Sequence, residues 1–131
     1  MKLHHIGIVV KNIQKSLGEL TNYLHFETIS TVMPVGSQMV NICFLRIGQP
    51  FLELIEPTSS ESPISEFAES GGGFHHLCFE VPDIHAQLET LSKKGATILV
   101  HPVRGFDERL IAFVDLNTSN KVGLIELLET R

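Results

Sequence analysis

The apolar positions of this chain change period in the same order twice. Hydrophobic residues run through LHHIGIVV from Leu3 and through FHHLCFEV from Phe74, and each stretch predicts a buried strand of about seven residues. Helical spacing follows, with Ile13, Leu17 and Leu20 in the first case and Ile84, Leu88 and Leu91 in the second. Asn12 and Asp83 stand just ahead of these helices, where a short side-chain oxygen satisfies an orphan N–H of the first turn. Two further strand signals then appear in each half. They are HFETISTVM (25–33) and MVNICFLRI (39–47), split by the turn-like PVGS, and TILVHPV (97–103) and LIAFVDL (110–116), split by RGFDE. FLELIEP (51–57) and VGLIELLE (122–129) close the two halves.

A shift of 71 residues places His4 on His75, His5 on His76, Val10 on Val81 and Leu17 on Leu88. At the ends of the halves a shift of 73 places Glu53 on Glu126, a change that needs only a two-residue indel in a turn. Several collinear similarities argue for internal duplication. The expectation is one domain over 1–131, made of two tandem βαβββ modules, 1–57 and 74–131. Linker 58–73 joins them, in a Ser-, Pro- and Gly-rich stretch with a short helix at ISEFAES.

Composition adds bounds. Of the 131 residues 43% are hydrophobic and 19% charged, which fits a globular α+β domain with a real core. A net charge of −5 and a pI near 5.7 argue against a nucleic-acid or anionic-membrane surface. No apolar run approaches the ~18 residues of a membrane span. The start, MKLHHIG, is too polar for a secretory segment, so a cytoplasmic location is expected. Cys43 and Cys78 both fall inside apolar strand signals and are expected as buried thiols.

Alternate residues of a strand share a face. His5 therefore points with Gly7 and Val9, and His76 with Cys78 and Glu80. Glu53 and Glu126 lie among leucines and isoleucines, where a carboxylate is costly to bury unless paired or bound to a metal. Two units that each offer one His and one Glu, His5 with Glu53 and His76 with Glu126, could converge on a single divalent ion. Imidazole and carboxylate suit Zn, Co, Ni, Mn or Fe(II). The alternative is that the glutamates are edge-strand charges and the histidines hydrogen-bonded core residues. The matched positions of all four favour the metal. His4 and His75 fall on the other face and are read as structural, and His25, His85 and His101 as surface or rim residues.

The duplicated βαβββ pattern with His, Glu, His and Glu resembles the vicinal oxygen chelate superfamily, which includes glyoxalase I and methylmalonyl-CoA epimerase. The match runs from LHHIGIVV to GLIELLE, and FLELIEPTSSESPISEF followed by GGGFHHLCFEV is most similar to the epimerase branch. The resemblance implies curled mixed sheets that enclose a metal-binding cavity, with one divalent ion (Co, Ni, Zn or Mn) on His5, Glu53, His76 and Glu126. It also implies a homodimer and a small-molecule substrate, either an acyl-CoA or a 2-oxo/thiol adduct. The implied chemistry is a lyase or isomerase reaction in which the metal polarises a carbonyl and a carboxylate abstracts the adjacent proton. Glu126 is the expected base. Epimerases of the family can carry Gln at the second ligand position, so Glu53 leaves two carboxylates and a dication electrically neutral.

The sequence departs from the epimerases at one place. Their second glutamate lies near the start of the third strand, whereas TVMPVGSQMVN (31–41) contains no Asp or Glu. Gln38 is the nearest polar group there, and an amide cannot abstract a proton. Glu80, Asp107 or Glu108 could supply a second base. Alternatively the protein runs a one-base, glyoxalase I-like reaction, or binds a small molecule without turnover. Ring-cleaving dioxygenation is disfavoured by the second acidic ligand. Arg104, Arg109, Lys93 and Lys94 are candidates for holding the phosphates of a CoA substrate.

Overall fold

The computed structural model describes residues 1–46 and 48–131; Ile47, the last residue of the strand expected over 39–47, lies outside them. The chain forms two compact units, His5–His75 and Met1–His4 with His76–Arg131.

The first unit takes β1 (Lys2–Val9) from His5 onward, then α1 (Ile13–Tyr23), β2 (Glu27–Thr28), β3 (Met33–Val35), β4 (Val40–Arg46), β5 (Phe51–Pro57) and α2 (Ser65–Glu69). Its sheet runs in the order β2, β4, β5, β1, with β3 also on β4. β1 is parallel to β5 and the other pairings are antiparallel. One face packs on α1 through Ile13, Cys43, Leu45 and Leu54, joined by Ile8, Leu17, Leu20 and Leu52. Strand alternation sends His5, Phe44 and Glu53 to the opposite face.

The strand expected over 25–33 is split in two. Ile29 N–H still donates to the Phe44 carbonyl at 3.1 Å. The Ser30 hydroxyl then accepts from Phe44 N–H at 2.8 Å, in place of a backbone carbonyl. A side-chain oxygen thus interrupts the ladder. Pairing resumes at Met33 and runs through Pro34 and Val35, so the turn falls on Gly36–Gln38, with Met39 left-handed at φ 51°.

The second unit repeats the plan with β6 (Gly73–Val81) from His76 onward, α3 (Ile84–Lys93), β7 (Thr97–Arg104), β8 (Leu110–Asp115) and β9 (Leu124–Glu129). Its order is β6, β9, β8, β7, and β6 is parallel to β9 as β1 is to β5. Ile84, Leu88, Val81, Ala112, Val114, Ile125 and Leu127 form the core under α3. The opposite face carries His76, Cys78, Phe113 and Glu126, with Cys78, Ile111 and Leu128 packed together.

Both long helices start as their sequences predict. Asn12 Oδ1 accepts from Lys15 N–H at 2.8 Å and Asp83 Oδ1 from Ala86 N–H at 3.0 Å. A second cap comes from the last strand of each unit. Glu56 accepts from Ile13 N–H at 2.6 Å, and Glu129 from Ile84 N–H at 3.0 Å. A carboxylate at that position also complements the helix dipole.

Gly72 sits where no other residue fits. Its φ is +65°, and an added Cβ would lie 2.4 Å from the Val9 carbonyl oxygen. Cys43 and Cys78 are buried, and burial raises the Cys43 pKa. Among the described residues no helix is long and apolar enough to cross a membrane.

Candidate metal centre

In the first unit β1 and β5 pair so that Gly7 lies beside Glu53, and β4 places Phe44 on its other side. His5 stands one side-chain step back along β1. Its Nε2 lies 3.2 Å from Glu53 Oε1. The Phe44 ring and the imidazole meet in a T-shaped arrangement, with centroids 5.6 Å apart and planes at 69°. His5 is 2% and Glu53 6% exposed.

The second unit builds the same group. Cys78 and Phe113 flank Glu126 in register, and His76 Nε2 lies 3.1 Å from Glu126 Oε1. Phe113 meets His76 with centroids 5.4 Å apart and planes at 89°. His76 is 2% and Glu126 7% exposed. Each unit thus holds one His–Glu pair out of water, with an aromatic ring fixing the imidazole plane.

Such a pair is chemically suited to a cation. Without one, Nε2–H donates to the carboxylate, a charge-assisted hydrogen bond that meets the cost of burial. With one, two donors each about 2.1 Å from the ion and at right angles would lie about 3.0 Å apart, close to the spacing found in both units. Binding requires Nε2 to lose its proton, so metal uptake is coupled to proton release or to a shift of tautomer. The residues fit a divalent ion of the imidazole- and carboxylate-binding class.

The Glyoxalase/Bleomycin resistance protein/Dioxygenase superfamily pattern matches residues 4–113. The chain belongs to this superfamily. An uncharacterized protein of Bacillus subtilis is 34% identical over 99% of this chain and 93% of its own length. Human mitochondrial methylmalonyl-CoA epimerase is 31% identical over 79% of this chain and 59% of its own length. The chain therefore spans less than two thirds of the human enzyme. A solved methylmalonyl-CoA epimerase in complex with methylmalonyl-CoA and NH4+ superposes with a TM-score of 0.83 at 27% identity, over 98% of this chain and 94% of that one. These likenesses agree with the vicinal oxygen chelate resemblance and with the α+β fold of duplicated modules.

The remaining candidates fall elsewhere. His4 lies near Phe106, with centroids 6.4 Å apart, and His75 near Phe67, at 5.5 Å. His25, His85 and His101 are exposed. Gln38 donates from its amide to the Ser37 carbonyl. Lys93 pairs with Glu89 at the surface. Arg104, Arg109 and Arg131 line a cleft of about 230 Å³ with Asp107 and Glu108, and each arginine is engaged there. Arg104 donates to the Glu108 carbonyl, and Arg131 pairs with Asp107. Arg109 pairs with Glu80 at 2.7 Å. That hydrogen bond is the main reason the Glu80 carboxyl is held below its usual pKa, with burial opposing it. Two carboxylates offered as a second base are therefore committed to arginines.

Phe44, Phe113, Glu56 and Glu129 were not among the expected functional positions. Their signal was present in the repeat, because each pair occupies matching positions in the two halves.

Proposed function

We propose that the protein is a divalent-metal-dependent isomerase of the methylmalonyl-CoA epimerase type, with His5, Glu53, His76 and Glu126 as the ligands of one ion. The observation that carries this reading is the repetition of a buried His–Glu–Phe group in both units. The likeness to epimerases in sequence and fold supports it. A bound dication supplies Lewis acidity, which polarises a substrate carbonyl and acidifies the adjacent C–H.

The chain's own groups do the rest. Glu126 takes the proton from the carbon next to the carbonyl, because its carboxylate lies on the last strand with apolar neighbours that exclude water. His76, held edge-on by Phe113, fixes the carboxylate oxygen that it touches. His5 and Phe44 do the same for Glu53.

A one-base reaction of the glyoxalase type is the second reading. It is favoured by the engagement of Glu80 and Asp107 with Arg109 and Arg131 and by the acid-free stretch 31–41. The test is proton exchange by NMR. Cobalt-reconstituted protein in D2O with methylmalonyl-CoA should wash out the C2 proton well above the rate without protein, with inversion at C2. Exchange without inversion would establish the one-base reading. No exchange with cobalt bound would overturn the epimerase assignment.

A further inference from the structure

The two units differ on the face that carries the His–Glu pair. Glu80 lies beside Leu128 in the β6–β9 register, one side-chain step beyond Cys78 and Glu126. Val9 lies beside Ile55 at the matching place in β1–β5, one step beyond Gly7 and Glu53. Continuing the β8–β9 register makes Arg109 the counterpart of Val40. The first unit therefore fills these two places with buried valines, 1% and 6% exposed. The second fills them with an ion pair whose side chains are 10% and 21% exposed.

Arg109 ties three strands together. It leads into β8 at the end of the turn Gly105–Arg109, which closes through the Gly105 N–H to Arg109 carbonyl bond at 2.9 Å. The turn holds Asp107 and Glu108 left-handed at φ 59° and 58°, a conformation that Asp tolerates but that is costly for Glu108. From there Nε donates to the Glu129 carbonyl on β9 at 2.8 Å, and a terminal nitrogen donates to Glu80 on β6 at 2.7 Å. β6 carries His76 and β9 carries Glu126.

Valines pack the same place in the other unit, so the fold does not require an ion pair there. Replacing a half-buried pair by apolar side chains is often neutral or stabilising. We infer that Arg109 is a positioning residue for the His76–Glu126 pair, holding β6 and β9 in fixed register beside the proposed base. This rests on the proposed function for its catalytic meaning, but its structural claim is decided without metal or substrate.

The experiment uses the His5–Glu53 pair as an internal reference. Imidazole 1H–15N NMR signals of His5 and His76 are recorded for the wild type, Arg109→Met, Arg109→Lys and the double variant Glu80→Val/Arg109→Val, which copies the valine pair of the first unit. Positioning predicts that Arg109→Met and the double variant shift or broaden the His76 signal while His5 stays in place. Arg109→Lys, which keeps the charge and one donor, should fall between them and the wild type. The double variant should also keep a melting temperature near wild type, so loss of fold cannot explain the shift. With cobalt added, the same two variants should lose tenfold or more in metal affinity and in kcat, with KM within about threefold.

An unmoved His76 signal, or equal movement of His5 and His76, would overturn the inference. If wild-type protein takes up no cobalt, the metal reading fails while the NMR comparison still decides the role of Arg109.

Discussion

The first unit and the second share a strand order, a helix, a cap and a buried His–Glu–Phe group, yet they differ two residues past the site. Val9 and Val40 stand where Glu80 and Arg109 form a half-buried ion pair, and Gly7 stands where Cys78 packs on Ile111 and Leu128. What both units keep is a buried His–Glu pair, a donor set that suits a divalent ion. What only one unit has points to a task the two do not share. The difference sets the half that contains Glu126 apart from its copy.

The largest effect expected from breaking this comparison is at the two glutamates. Glu126→Gln should cost at least about 100-fold in kcat, the scale of a lost general base. Glu53→Gln, which keeps an oxygen donor in the first unit, should cost far less. Steady-state kinetics and metal stoichiometry on both variants check this, and equal losses would make the two units catalytically equivalent.

Next comes the backbone that leads from the first unit toward β6. Gly72→Ala must meet both a positive φ and a Cβ placed 2.4 Å from the Val9 carbonyl oxygen, so a loss of about 3 kcal/mol is expected. Urea denaturation measures it. An unchanged midpoint would show that this close approach relaxes freely.

The smallest effect concerns acid. The Glu80 carboxyl is held low chiefly by its hydrogen bond to Arg109, helped by the charges of His4, Arg109 and Lys2. A depressed carboxyl pKa stabilises the fold above the unfolded-state value of about 4.3. That contribution is lost as pH falls through the lower folded value. The pair should contribute about 1 kcal/mol near neutrality. Glu80→Gln should therefore narrow the stability difference between pH 7 and pH 3, measured by thermal melts at both. Identical pH dependence in wild type and variant would remove the ion pair from the acid response.

Much of this was legible in the sequence because duplication makes a pattern self-checking. A lone histidine on a strand says little, but His5 and His76 occupy matching sequence positions, each followed by a matching glutamate, so each supports the reading of the other. The caps Asn12 and Asp83 were readable for the same reason, as local chemistry repeated twice. The interruption of the 25–33 strand was not readable, since it depends on the Ser30 hydroxyl meeting a backbone N–H fourteen residues away. The Arg109–Glu80 bridge was hidden for a different reason. It joins strand ends 29 residues apart and has no counterpart in the other half against which to check it.

The glutamates near the ends of β5 and β9 carry a consequence of another kind. Each fastens the last strand of its half to the first turn of the long helix of the same half. The clasp is written inside the segment it closes, so a copied segment brings its own fastening and its own His–Glu pair. Descent by duplication then needs no new interaction to make the copy hold its shape, and later changes are free to accumulate in one copy alone.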